Sequence, residues 1–466
     1  MSEIITWSAV ETAARIRDRS VSVTEVTQAH LDRIAMWEPG LNAVVDNLGE
    51  TALAHAAEMD RAGPGDGVLH GLPVTIKINV DFAGLPNSNG LPAQNHAPSA
   101  SDGPVVANYR AAGAIPIGRT NTPEFSLRWF TSNPIHGVTE NSVNRALTPG
   151  GSSGGASSSV AAGIGVLAHG NDLGGSLRYP AYCCGLATLR PSLGRVPAFN
   201  PSAPAERPAM LQTMSVQGSI ARNFGDIRLA LRAQERRSPL DPLWNGAANS
   251  GRTRRAVPRI GVCADPFGDG IAADVATAVD KAAAALKTTG AEIVETKPPM
   301  AREAADIWGR LLNTETDVMM MDGMRQVGSD QVLDLLQGYV EIFGTTDLKG
   351  YMQDQAARLT IQRAWALMFE DIDVLLMPVS GQLPFALEQD FRQRGSLPDI
   401  IRAQRFLFIA NVLGLPATSV PTGKVDGVPT GVQIIGAWRD DDLCIDISER
   451  LETALALDLS PVAPAS

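Results

Sequence analysis

Between residues 73 and 79 apolar and polar side chains alternate, Val74, Ile76 and Ile78 against Thr75, Lys77 and Asn79. That period of two predicts a strand with Lys77 in its middle, set among apolar neighbours. Upstream, apolar positions recur every three or four residues over 8–19, 24–37 and 50–62, which predicts three helices with polar starts. Downstream, residues 104–112 read as a helix feeding a short strand at 114–118, and 120–130 as an aromatic-rich loop. A helix is expected at 226–234 and a polar, exposed excursion at 236–255. The second half alternates again. Strands are expected at 259–263, 292–295, 373–377, 417–420 and 431–436. Helices are expected at 272–286, within 302–369, at 400–412 and at 441–454. Strands and helices interleaved along the whole length predict one α/β domain, residues 1–466, around a mixed sheet.

One stretch breaks this rhythm. Residues 149–185 read PGGSSGGASSSVAAGIGVLAHGNDLGGSLRYPAYCCG. Two glycine–serine turns, 149–155 and 171–176, bracket a compact element of small residues and an apolar run. Glycine permits close backbone approach and unusual φ/ψ, so the two turns bring N–H groups and hydroxyls together. A flexible linker would not carry the run GIGVLAH flanked by Arg178 and Cys183-Cys184. A phosphate-binding loop would end in Lys-Ser or Lys-Thr and follow a strand, and neither feature is present.

Composition narrows the chemistry. The net charge of −11 comes without a basic block, which argues against a nucleic-acid partner. The N-terminus lacks the basic-then-apolar order of a secretion signal, and no apolar run approaches a membrane span. The four cysteines, Cys183, Cys184, Cys263 and Cys444, suit reduced core thiols in a cytoplasmic protein. The six histidines all lie in the first 170 residues, and none is spaced as a metal pair. No metal and no cofactor are expected. His169, in an apolar run, reads as a core histidine.

Serine and lysine remain as the reactive groups. A serine hydroxyl needs a base, and lysine serves when burial keeps it neutral. Lys77 is the best placed candidate. Gly174, Gly175 and Ser176 supply successive N–H groups at a turn, as an oxyanion hole requires.

These residues carry a resemblance. GLPVTIKINVD, AAGAIPIGRTNTPEF, PGGSSGGASSSVAAG, HGNDLGGSLRYPAYCCGLATLRPS, NVLGLPATSVPTG and GVQIIG occur in the order found in the amidase signature family of serine hydrolases. The chain resembles that family from about residue 5 to 455. The resemblance implies a central mixed, twisted β-sheet covered by helices on both faces. It implies a core signature at about 70–195 and a helical substrate-pocket region at about 300–370. It implies a catalytic triad of Lys77, Ser152 after a cis peptide bond, and Ser176 as nucleophile, with the N–H groups of Leu173, Gly174, Gly175 and Ser176 as oxyanion hole. Ser153, Asp172 and Arg178 would support the turns, and Phe125, Ser126, Leu127 and Trp129 would line the substrate site, with Phe130 adding aromatic surface. Two departures from the family pattern, at Ile78–Asn79 and at Asn171, are expected to stay clear of the triad.

The implied reaction is hydrolysis of a small, largely apolar amide or anilide, with an aromatic leaving group favoured over ammonia. Esters and carbamates fit the same chemistry. The alternative within the family is a glutaminase-type subunit of a tRNA-dependent amidotransferase, which would work with partner chains. A non-catalytic scaffold is disfavoured because Lys77, Ser152 and Ser176 are all intact. The expected partner is a small-molecule substrate, with neither membrane nor nucleic acid, and the chain is expected as a monomer or homodimer.

Overall fold

The alternating segment around Lys77 is the strand Pro73–Lys77, which stops at the lysine and does not continue through Ile78. It lies within a sheet of 11 strands in the computed structural model of the chain, which describes residues 3–463 apart from 95, 247–249 and 394. Along the sheet the strands run Val44–Asn47, Ile115–Thr120, Pro73–Lys77, Leu167–Asp172, Val216–Ala221, Ala187–Arg190, Ala417–Val425, Val428–Gly436, Val374–Pro378, Arg259–Val262 and Glu292–Glu295. The sheet is mixed. Pro73–Lys77 is parallel to both its neighbours, whereas Leu167–Asp172 pairs antiparallel with Val216–Ala221. The C-terminal hairpin, 417–436, joins the N-terminal half of the sheet to the strands of the second half.

Alternation across the sheet builds a separate core on each face. Val374 and Leu376 join one cluster with Val432 and Ile434, while Leu375, Met377 and Ile435 join another. Helices Ala9–Arg17, Val23–Leu41, Phe224–Gln234, Ala273–Thr288 and Asp441–Leu455 cover the first cluster. Helices Ala301–Met319 and Leu397–Leu413 cover the second, with Met321–Val327, Asp330–Phe343 and Leu348–Asp371 added outside. Both faces are therefore clothed in helix. Among the described residues no helix is long and apolar enough to cross a membrane. The four cysteines are free thiols, three of them buried. The described part of 236–255 is mostly exposed, and 247–249 lie outside the described residues.

Several boundaries move for identifiable reasons. The second helix begins at Val23, because Ser22 and Glu25 form a reciprocal capping box that precedes the predicted start at 24. Strands Ala187–Arg190 and Val216–Ala221 carry no period-two signal, since they are buried on both faces and mix small and polar residues. The strands predicted at 417–420 and 431–436 extend into one long hairpin closed by Asp426 and Gly427, both at positive φ, a turn that matches strand twist.

The helix Gly154–Ala161 is buried along its whole length beneath the ends of the central strands. Its seat requires glycine at the first turn. A Cβ on Gly155 would stand 2.5 Å from Asn121 N and 2.8 Å from Ala43 O, both backbone atoms that cannot rotate aside. Gly155→Ala is expected to destabilise the protein by about 3 kcal/mol, the upper range for overpacking. A lowered thermal midpoint against wild type checks this, and an unchanged midpoint would contradict it.

Candidate active site

Strand Pro73–Lys77 delivers the Lys77 side chain to the end of the sheet, where it is wholly buried. Its Nζ lies 2.7 Å from Ser152 Oγ, 3.1 Å from Ser153 Oγ and 2.8 Å from Asn171 Oδ1. Counting hydrogens fixes the direction of these bonds for a neutral amine, which has two N–H donors and one lone pair. Asn171 Oδ1 can only accept, so it takes one N–H. The Ser153 hydroxyl points its hydrogen towards Asn171 O at 3.5 Å and accepts the second N–H. The lone pair then faces the hydroxyl of Ser152. Burial holds the Lys77 amine well below its usual value near 10.5, opposed only in part by the Asp172 charge.

Asn171 thus touches the lysine directly, contrary to the expectation that this departure would stay clear of the triad. Its side-chain N–H donates to Asn79 Oδ1 at 2.9 Å, and Asn79 donates in turn to Ser126 Oγ at 2.9 Å. The two unusual positions are one unit, an asparagine pair standing between the base and the substrate loop.

The peptide bond Gly151–Ser152 is cis. Ser152 and Ser153 are almost wholly buried at 1% and 0% exposure, whereas Ser176 is 7% exposed and reaches the cavity. The turn that carries Ser176 is tied down by Asp172. That carboxylate accepts from the N–H of Gly175 at 2.9 Å and of Leu177 at 3.3 Å, from both Arg178 Nε and Nη2 at 3.1 Å, and from Asn411 Nδ2 at 2.8 Å. Burial alone would raise the Asp172 pKa, but the charge and hydrogen bonds of Arg178, the charge of Arg190 and the bond from Asn411 hold it far below the usual carboxylate range. Arg178 also donates to Gln433 Oε1 at 2.9 Å and Asn411 Oδ1 at 2.7 Å. Of the four N–H groups implied as oxyanion donors, that of Gly175 is therefore committed to Asp172. Those of Leu173, Gly174 and Ser176 have no protein acceptor among the described residues.

The loop expected to line the substrate site is held in an uncommon conformation. Phe125 and Ser126 are consecutive non-glycine residues at φ 54° and 57°. Such backbone persists where surrounding bonds over-determine it, and it clusters at functional sites. Here the Phe125 N–H donates to Asn89 O at 3.1 Å and Ser126 Oγ to Asn89 Oδ1 at 2.7 Å. The buried Glu124 carboxylate accepts from Ser329 N–H and Oγ, which ties the loop to the helices of the second half.

Two cavities meet at Ser176. One is a narrow apolar slot between Leu127, Trp129, Trp308, Leu312, Leu336 and Tyr339, with Leu173 and Ser176 at its mouth. The other is wider and more polar than the first, with Asn79, Asn200, Glu206, Arg207 and Gln212 among its walls beside Phe199, Leu211, Met320 and Met324, and with Ser152 and Ser176 in its lining. Phe125 faces the polar cavity, and Ser126 and Leu127 border both. Trp129 walls the slot, whereas Phe130 packs into the core against Phe385 and adds no aromatic surface. His169 lies on Leu167–Asp172, wholly buried, with Nε2 2.8 Å from Gln217 Oε1. Burial lowers its pKa to about 4 against the Gln217 bond, so it is a neutral core residue. Trp308, Leu312, Leu336 and Tyr339 were not foreseen individually, because helical spacing gives core and pocket aromatics the same pattern.

A buried amine in contact with the hydroxyls of Ser152 and Ser153 thus stands beside a glycine turn with free N–H groups, where two cavities meet. The family model described as Amidase matches residues 25–445. An indoleacetamide hydrolase of Bradyrhizobium diazoefficiens is 44% identical over 450 residues, covering 96% of this chain and 86% of that protein. One subunit of the glutamyl-tRNA(Gln) amidotransferase of Thermosynechococcus vestitus is 31% identical, covering 89% of this chain and 91% of that protein. Among solved structures, a bacterial aryl acylamidase of the amidase signature family superposes with a TM-score of 0.84 at 26% identity, covering 97% of both chains. The chain belongs to the amidase family. It is an amide hydrolase, acting on carbon–nitrogen bonds.

Burial depresses the Lys77 pKa, so with a neutral amine as the base activity is expected to rise with pH through an apparent value well below 10.5 and to fall away on the acid side. Lys77→Met removes the base and keeps the volume. Acylation by this variant, followed by stopped flow, is expected to be slower by about a thousandfold or more; a variant that keeps the wild-type rate on an amide would refute the role of the lysine.

Proposed function

We propose that the whole chain, residues 1–466, serves as one catalytic unit that hydrolyses small arylacyl amides through an acyl-enzyme on Ser176. The observation that carries this reading is the pair of unlike cavities meeting at Ser176, one mainly apolar and aromatic, the other mixed and carrying the charged and amide groups of Glu206, Arg207, Asn79 and Asn200. The arene occupies the slot, where burial of apolar area contributes about 25 cal/mol per Å². The amine side faces the polar cavity, which suits ammonia or a small amine and the water that follows. This places the aromatic group on the acyl side and not, as the sequence suggested, on the leaving group. The name of the indoleacetamide hydrolase relative, a flat aromatic acetamide releasing ammonia, agrees with that orientation.

In this mechanism Ser176 Oγ attacks the carbonyl carbon. Its proton passes to Ser152 Oγ while the Ser152 proton passes to Lys77 Nζ. The oxyanion is stabilised by the free N–H groups of Leu173, Gly174 and Ser176. Collapse breaks the carbon–nitrogen bond, and the same chain returns a proton to the departing amine. Water then attacks the acyl ester, its proton taken up by the chain, and the carboxylic acid leaves with Ser176 restored. Each turnover consumes one amide and one water and yields one acid and one amine. The substrate is the only partner required, with no metal, cofactor, nucleic acid or membrane. A cytoplasmic protein, monomeric or a homodimer, meets these needs.

The amidotransferase reading finds less support, since identity to that relative is 31% against 44% for the indoleacetamide hydrolase. A slot walled by tryptophans also suits glutamine poorly.

Ser176→Ala is expected to abolish turnover and leave the thermal midpoint unchanged, and mass spectrometry of a fluorophosphonate-treated wild type should place the label on Ser176. Label on any other serine would overturn the assignment. In a turnover screen of amides, anilides, esters and carbamates, an arylacetamide is expected to exceed the acetanilide of the same ring by about tenfold or more in kcat/KM, the scale of a well-filled apolar subsite. The reverse preference would put the arene on the amine side.

A further inference from the structure

The two tryptophans of the slot do more than line it. Trp308 Nε1–H donates to the carbonyl of Leu173 at 3.0 Å, and Trp129 Nε1–H donates to the carbonyl of Gly174 at 2.9 Å. These carbonyls belong to two successive peptide units of the turn that precedes Ser176. In a trans peptide the C=O and the next N–H point in opposite directions. Holding Leu173 O therefore sets where the Gly174 N–H points, and holding Gly174 O sets the Gly175 N–H. The second plane is fixed at both ends, because its N–H donates to Asp172 Oδ1 at 2.9 Å. The first plane is fixed at its carbonyl end, and its N–H is left free.

Such pins are needed at this place. Gly174 and Gly175 have no Cβ to limit rotation, and Gly175 sits at φ 99°. An indole has one polar hydrogen and no acceptor, so it can bond a carbonyl but not an N–H. A flipped peptide would set donor against donor. The rings cannot easily follow a flip either. Trp308 stacks on Phe408 with centroids 3.9 Å apart and planes 11° apart, and Phe408 stacks on Trp129 at 5.7 Å. Trp308 also lies so close to Gly174 that a Cβ there would stand 2.6 Å from the indole ring.

We propose that Trp129 and Trp308 are positioning residues, whose indole N–H groups lock the peptide planes of residues 173–175 so that the Gly174 N–H is aimed at the reacting carbonyl. This rests on Ser176 being the nucleophile. It joins substrate binding to the chemical step, since the rings that receive the arene are those that set the oxyanion turn.

The test separates the N–H from the ring. Three variants are compared with wild type: Trp308→Phe, Trp129→Phe, and replacement of Trp308 by 3-benzothienylalanine, which keeps the bicyclic shape and exchanges the N–H for sulfur. For each, kcat and KM on an arylacetamide are measured. So are the affinity of an arylboronic acid, which forms a tetrahedral adduct on the nucleophile, and the affinity of 3-methylindole, which has a ring and no carbonyl. The benzothienyl variant should lose about 10- to 100-fold in kcat, less than or comparable to losing an oxyanion donor outright. Its boronate affinity should fall in parallel, while KM and 3-methylindole affinity stay within about twofold of wild type. The phenylalanine variants should show the same boronate loss with some loss of 3-methylindole affinity. Boronate affinity and kcat unchanged in the benzothienyl variant would overturn the proposal, as would equal losses for boronate and 3-methylindole. If the wild type forms no adduct on Ser176, the nucleophile assignment fails and the proposed role falls with it. An adduct on wild-type Ser176 with unimpaired variants refutes the pins alone.

Discussion

An amine buried without a carboxylate in hydrogen-bonding contact is the constraint around which the site is arranged. Lys77 Nζ meets three neutral groups, Ser152, Ser153 and Asn171, so no opposite charge in contact with it offsets the burial of an ammonium. Desolvation would make a fully buried ammonium costly, and the pKa shifts instead. The nearest strong negative charge, Asp172, is saturated by Arg178, Asn411 and backbone N–H groups and has little left to offer the lysine. Of these two buried groups, the carboxylate is thus neutralised by a guanidinium and the amine is held towards its neutral form. Glycine is also required at 154, 155 and 174, where a Cβ would meet Thr131 Oγ1, backbone atoms of Asn121 and Ala43, and the Trp308 ring.

The fold was legible where a single periodicity governs a segment. Pro73–Lys77, the helices Ala9–Arg17 and Gly49–Ala62 and the strands Arg259–Val262 and Glu292–Glu295 fall within a residue or two of their expected places, whereas Val23–Leu41 runs past its expected end at 37. Ala187–Arg190 and Val216–Ala221 escaped because a strand covered on both faces loses its alternation. In the site, Lys77 stood out through the alternation around it, whereas the roles given to Ser152 and Ser176 came from the resemblance carried by the two glycine–serine turns. Asn171 was visible only as a departure from a pattern, and its contact with the lysine needed three dimensions to appear. Trp308 lay within a helix whose buried face looks the same whether it meets core or cavity.

Specificity and reactivity share material here. Leu173 and Ser176 border the apolar slot and the wider cavity alike. On the proposed reading a substrate would span both with its carbonyl at their junction, and each side of the scissile bond would meet a wall of different polarity. The asparagine pair at 79 and 171 lies where base and substrate loop approach each other, and it satisfies polar atoms of both.

The C-terminal hairpin adds a consequence in time. Gln433, near the end of the chain, holds the Arg178 guanidinium, and Asn411 holds both Arg178 and Asp172. Strands Ala417–Val425 and Val428–Gly436 sit in the middle of the sheet, although they are synthesised after every other strand. The first 400 residues therefore contain Lys77, Ser152 and Ser176 but not the groups that hold Arg178 and Asp172. The turn that carries Ser176 gains these supports only once the segment from Asn411 to Gln433 has been made and inserted into the sheet.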